Sequence, residues 1–332
     1  RLLLMLLVHW ASSTVALADE PTRVREFWSE EYRVTQKHDC TQNPYGTQDI
    51  TLSEGGEPEL VWITGGRVET VGESMHTSVA DEFLCHGYLK FNLKTHRAKR
   101  HNALFGNVTS LLSQQLLVFG QGASGQEFPS GFGIPLWSTE PLTFLSMAQN
   151  RNAVSLSAPL KFKLVVTYAR DRDLSHPFKP LFYRAIRVIG KEKDRIQGRE
   201  VLWWLKPGRQ VNRTNVTDQL ALPFDTTVHY IGVHLHPFAE SLQLKDLTTR
   251  QVLFTSGARN FSQGIGVASV DTFSSAEGIP VYRDHQYELT SVYHAPDVPA
   301  EPRQDAAASM FLFLFDKHFK KPAAVAQATG GP

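Results

Sequence analysis

Apolar residues recur along this chain in short runs and in alternation, and only rarely at the three- and four-residue spacing of an amphipathic helix. From Glu59 onward the runs at 60–63, 87–93, 116–119, 142–147 and 160–168 are separated by turn residues. In 160–168, alternation of apolar and polar positions is broken only at Val165, which predicts a strand with one face in a core. A polar, charged bridge at 171–180 precedes a second series at 181–188, 200–205, 227–236, 241–244, 286–293 and 309–315. With 23 Gly and 18 Pro spread between such runs, the pattern predicts an all-β fold of the sandwich or jelly-roll kind.

One predicted strand carries unusual polar positions. In 227–237 the residues His234 and His236 lie two apart, so on a strand both imidazoles project from one face. The other row, His229, Ile231, Val233 and Leu235, is mostly apolar, as a core-facing row is. Two nitrogen donors on a stiff strand form half of a metal site, although ordinary solvent-exposed histidines share the same spacing. A third donor is available in the last predicted strand at Met310. A thioether with two imidazoles suits copper and is poorly matched to magnesium or calcium, while Met310 taken alone reads as core packing.

Length and composition narrow the class. At 332 residues the chain exceeds the usual single domain. The pattern divides it into a leader at 1–18, an extension at 19–57, an N-terminal domain at 58–183, a C-terminal domain at 184–320 and a disordered tail at 321–332. Apolar content of 42% with 20% charged residues is that of a soluble globular protein. A formal net charge of +1 offers no attraction to nucleic acid or an anionic membrane.

The basic and apolar start, ending in Ala16-Leu-Ala18, predicts a signal peptide cut before Asp19 and a secreted or periplasmic protein. No later run reaches the roughly 20 apolar residues of a membrane helix. In an oxidising compartment the two cysteines, Cys40 and Cys85, form a disulfide; otherwise Cys85 acts beside His86 as a separate thiol. Sequons at Asn107, Asn212, Asn215 and Asn260 are acceptors only in a eukaryotic host. The Gly-rich stretch at 120–125 lacks both a following helix and a Lys-Ser/Thr ending, so a hairpin or surface loop is expected there and not a phosphate loop. No Gly-x-Ser-x-Gly elbow and no His-Glu-x-x-His occurs, which removes the commonest hydrolase patterns.

The order Trp203-Trp-Leu-Lys-Pro-Gly, His234-Leu-His236, Tyr287-Glu-Leu-Thr-Ser-Val-Tyr293 and Ser309-Met310 resembles the C-terminal half of the ascorbate-dependent type II copper monooxygenases. That resemblance spans about 60–316 and implies two antiparallel jelly-roll domains facing across a cleft. It also implies copper held by His234, His236 and Met310. The family's second, electron-transferring copper uses three histidines. Here Cys85-His86 resembles the first element, the third ligand position falls near Ala148, and His76 is the residue available to complete a remodelled site with His86; as a loop histidine it would have no such role.

Gly232, Leu312 and Leu314 stand where peptide-amidating members carry carboxylate-holding side chains, so peptide amidation is not expected. The resemblance therefore implies a protein with about one copper ion per chain. Its catalytic form would hydroxylate a C–H bond of a small-molecule substrate, with ascorbate or another reductant. The alternative is a copper storage or delivery protein of the same fold, and a third reading is an interaction module without metal.

Overall fold

A computed structural model describes residues 21–34, 44–72, 81–92, 115–152, 159–296 and 303–321. The leader, Cys40, His76, Asn107 and all of the tail beyond Lys321 lie outside these residues. The described chain is nearly all β, at 62% strand and 5% helix, in several sheets of which none closes into a barrel. Among the described residues no helix is long and apolar enough to cross a membrane.

In chain order the strands of the first half are β1 (Thr22–Trp28), β2 (Tyr45–Ile50), β3 (Leu60–Val71), β4 (Leu84–Phe91), β5 (Gln115–Gly120), β6 (Gly125–Glu127), β7 (Phe132–Trp137), β8 (Leu142–Ala148) and β9 (Lys161–Arg170). The second half has β10 (Lys179–Arg187), β11 (Arg195–Ile196), β12 (Arg199–Trp204), β13 (Gly208–Asn215), β14 (Thr226–Leu235) and β15 (Ala239–Asp246). It continues with β16 (Val252–Asn260), β17 (Val267–Val270), β18 (Phe273–Val281), β19 (Tyr287–Ala295), β20 (Asp305–Ala306) and β21 (Ala308–Phe315).

One sheet runs through both halves in the order β1-β9-β3-β7-β10-β21-β14-β18, with β6 paired to β3. The expected boundary at residue 183 falls inside β10, which pairs in parallel with β7 on one side and antiparallel with β21 on the other. The four-stranded sheet β2-β8-β4-β5 closes the first half, and the five-stranded sheet β13-β19-β15-β16-β17 closes the second.

The strands β10, β14 and β21 are apolar on both faces because each face meets a different core. Tyr183, Ala185, Tyr230, Phe311 and Phe313 pack into the core of the first half. The alternate residues Phe182, Ile186, Ile231, Val233, Met310 and Leu312 pack into the core of the second. The chain therefore forms two sandwiches that share the middle of one sheet, and His234 projects from the side of β14 that faces the first half.

Candidate metal centre

Three histidines meet where the two halves join. His86 is on β4, His234 is near the end of β14, and His236 follows it; one nitrogen from each lies within 4.8 Å of the others, so the cluster can hold a metal ion. The His86 and His234 ring centroids are 4.2 Å apart, and those of His234 and His236 are 5.1 Å apart. His234 and His236 are buried, at 7% and 3% exposure, while His86 is half-buried.

The local ladder explains the meeting. On β4, His86 stands opposite Gly120 of β5, and opposed residues project to the same face. A Cβ at Gly120 would lie 2.9 Å from Nδ1 of His234, so the missing side chain makes the space that the imidazole fills. A bulge between Leu84 and His86 interrupts the pairing of β4 with β8 and re-aims the strand just before the ligand.

The hairpin at the Gly-rich stretch packs against the second half beside the site. Gly120 and Ala123 exchange backbone hydrogen bonds of 3.0 Å, as the expected hairpin requires. Gly122 takes φ +78°, which favours glycine. Gln121 accepts a hydrogen bond from the Val267 amide at 2.8 Å, so the turn is tied to the second half. Asn152 clamps both backbone groups of Ile265 in the same way, at 2.7 and 3.2 Å.

Each ring has a distinct polar environment. Nδ1 of His236 lies 3.0 Å from Oδ2 of Asp305, and the other carboxylate oxygen accepts from Nη1 of Arg151 at 2.7 Å. Both members of that ion pair are buried. Nη2 of Arg151 is also 3.4 Å from Nδ1 of His236, but a guanidinium only donates, so this longer contact competes with the shorter one to Asp305 for the same ring nitrogen. A carboxylate behind Nδ1 fixes a ligating histidine with Nε2 directed at the ion. Nδ1 of His86 is 3.2 Å from the Tyr88 hydroxyl, and the two rings stack at 5.5 Å. The backbone amide of His236 donates to Tyr293 Oη at 3.2 Å, which holds the chain as it leaves β14.

His234 differs from both: neither ring nitrogen has a hydrogen-bond partner among the described residues. A buried imidazole without partners is costly unless something electrophilic satisfies it. Burial, followed by the positive potential of His86, His236 and Arg151, holds the His234 ring well below the usual histidine range. It is therefore neutral near pH 7, the form that ligates metals. Burial alone would raise the Asp305 carboxyl, but His236 and Arg151 together hold it well below the usual carboxylate range.

The structure brings together a different set from the one expected. Met310 pairs with Val233 across β14 and β21, whereas Ser309 pairs with His234. Its side chain thus lies on the opposite face from the imidazoles, fully buried in the second core, and is separated from them by the sheet. His86, assigned by resemblance to a second site, joins the His234 and His236 pair instead. The proposed partner of His86, His76, lies outside the described residues. The expected disulfide likewise involves Cys40, outside the described residues, with Cys85 buried on β4.

His229 is held elsewhere, between the Ser275 carbonyl and the Thr227 hydroxyl, against Phe132 at 4.1 Å. Sequence reasoning missed Asp305 and Arg151. They are 154 residues apart, and no local pattern joins them.

No protein-family model matches the chain, and no curated protein does. Two solved structures of PNGF-II, in different crystal forms, align with 88% and 90% of this chain at 9% identity, with TM-scores of 0.35 and 0.37. The chain spans 65% and 67% of those proteins' length. Similarity at that level identifies neither a family nor an activity for this chain.

Proposed function

We propose that this chain is an exported copper protein that holds one ion through His86, His234 and His236. The observation that supports it most directly is His234, a buried, neutral ring whose two nitrogens lack partners at the point where two further imidazoles meet it. Three imidazoles suit copper, zinc, nickel and iron, and among these divalent ions copper binds a given nitrogen site most tightly. The resemblance to the ascorbate-dependent copper monooxygenases favours the same metal, with His86 in place of Met310 as third donor.

When bound, copper would supply one-electron and oxygen chemistry that side chains lack. The protein's own contribution is placement. Asp305 orients His236, the Tyr88 hydroxyl braces His86, and Gly120 admits His234. C–H hydroxylation driven by ascorbate or another reductant is the catalytic form of this reading. Copper storage or delivery is the second form, favoured by the near-complete burial of His234 and His236.

Metal content after equilibration with copper tests the assignment. About one ion per chain is expected, and a His234→Ala/His236→Ala variant should lose it. Full retention by that variant would sink the assignment. Ascorbate-dependent oxygen uptake by the loaded wild type, absent from the variant, separates the catalytic form from the storage form.

A further inference from the structure

We infer that Met147 is a fourth, soft donor to this centre, which makes the site selective for cuprous copper over zinc; the inference rests on the three-histidine reading above. The ladder between β4 and β8 sets Met147 opposite His86. Opposed residues of antiparallel strands share a face, with Cβ atoms about 4.5–5.5 Å apart. The other flank of His86 in the same sheet is Gly120, which has no side chain to offer. Among the two cross-strand neighbours of His86, Met147 alone carries a donor atom.

Burial points the same way. Leu142, Phe144 and Ala148 of β8 belong to the first core, whereas Met147 is half-buried on the opposite side of the strand. Its other neighbour is Tyr45, which is 67% exposed. A methionine so placed fills no closed core. Of the three histidines only His86 is half-buried, and Met147 flanks it on the side away from Gly120, over which His234 lies, so the sulfur would reach the centre past the His86 ring. An unbranched side chain with three rotatable bonds can swing sulfur toward a neighbouring ligand. A thioether favours Cu(I), while a site of imidazoles alone suits zinc as well.

Met147→Leu removes the sulfur and keeps the volume. The full chain would be titrated with Cu(I) against a chromophoric chelator and, separately, with Zn(II). Cu(I) affinity should weaken about tenfold or more, Zn(II) affinity should stay within about twofold, and the sulfur shell in the Cu(I) X-ray absorption spectrum should vanish. Unchanged Cu(I) affinity with no sulfur shell in the wild type overturns the inference, as does equal weakening of both ions. Wild-type chain that binds neither ion overturns the three-histidine reading and this inference with it. Zn(II) binding that depends on His234 and His236, combined with a silent Met147→Leu, removes the inference alone.

Discussion

A single absent methyl group decides whether His234 can meet His86. Gly120 has no need of a positive φ; what it supplies is room, because a Cβ there would come within 2.9 Å of the imidazole. The ring is buried and cannot swing into solvent, so Gly120→Ala should displace it from the cluster. We expect the variant to keep its β-sheet circular dichroism and to lose metal affinity by about tenfold or more, within the range seen when ligand positioning is disturbed; unchanged affinity would mean that His234 is not a ligand. The pair His234 and His236 was legible from spacing alone, since period two on a strand is a local property. Gly120 was not, because the stretch around it carries the same signature as any hairpin turn.

At the scale of the element, register outweighs motif order. Met310 follows the same sequence order as the ligand methionine of the copper monooxygenases, yet β21 is set against β14 so that Ser309 and not Met310 stands beside His234. A shift of one residue in an antiparallel pair moves every side chain to the other face. Met310→Leu should accordingly leave the stoichiometry and affinity of any metal taken up by the three histidines unchanged and cost less than about 1.5 kcal/mol in chemical denaturation, as a volume-conserving core exchange does. Met310→Ala should cost about 2–5 kcal/mol, again without loss of the ion. Loss of copper from Met310→Leu would contradict this register. The apolar run at 309–315 was readable as a strand, but its two-sided burial was not, because continuous apolar runs carry no sign of which face meets which core.

Across the whole molecule, the centre is a junction. His86 and Arg151 come from the first half, and His234, His236 and Asp305 from the second, so the buried Arg151–Asp305 pair ties the halves together beside the candidate ligands. Asp305→Asn leaves Arg151 buried without its counter-charge and should lower stability by about 3–5 kcal/mol.

The pH dependence of the metal-free protein follows from the two depressed groups. Asp305 titrates lower in the folded chain than the ordinary carboxylate near pH 4, so its stabilising contribution is present above that pH and is lost as pH falls toward the folded value. His234 also titrates lower when folded. Below about pH 6.5 the unfolded chain binds a proton that the folded ring resists, and stability falls there as well. The melting temperature should thus decline on acidification from pH 7 toward 4, and a His234→Gln variant should show a shallower decline between about pH 6.5 and 5. A melting temperature that rises over that interval would contradict the assigned environments. Acid should also release a metal ion proposed for the three histidines, since ligation requires neutral imidazoles.

By itself the sequence determined what depends on neighbours along the chain: the all-β class, the strand runs, the Gly-rich turn and the presence of two imidazoles on one face. Tertiary structure decided the rest. Which histidine meets the pair, on which face Met310 lies, which acid stands behind His236 and where the halves divide all depend on contacts between residues tens to more than a hundred positions apart. Those contacts are set by strand register and sheet order. Both arise from packing two faces of β10, β14 and β21 against separate cores, a constraint that no single segment carries.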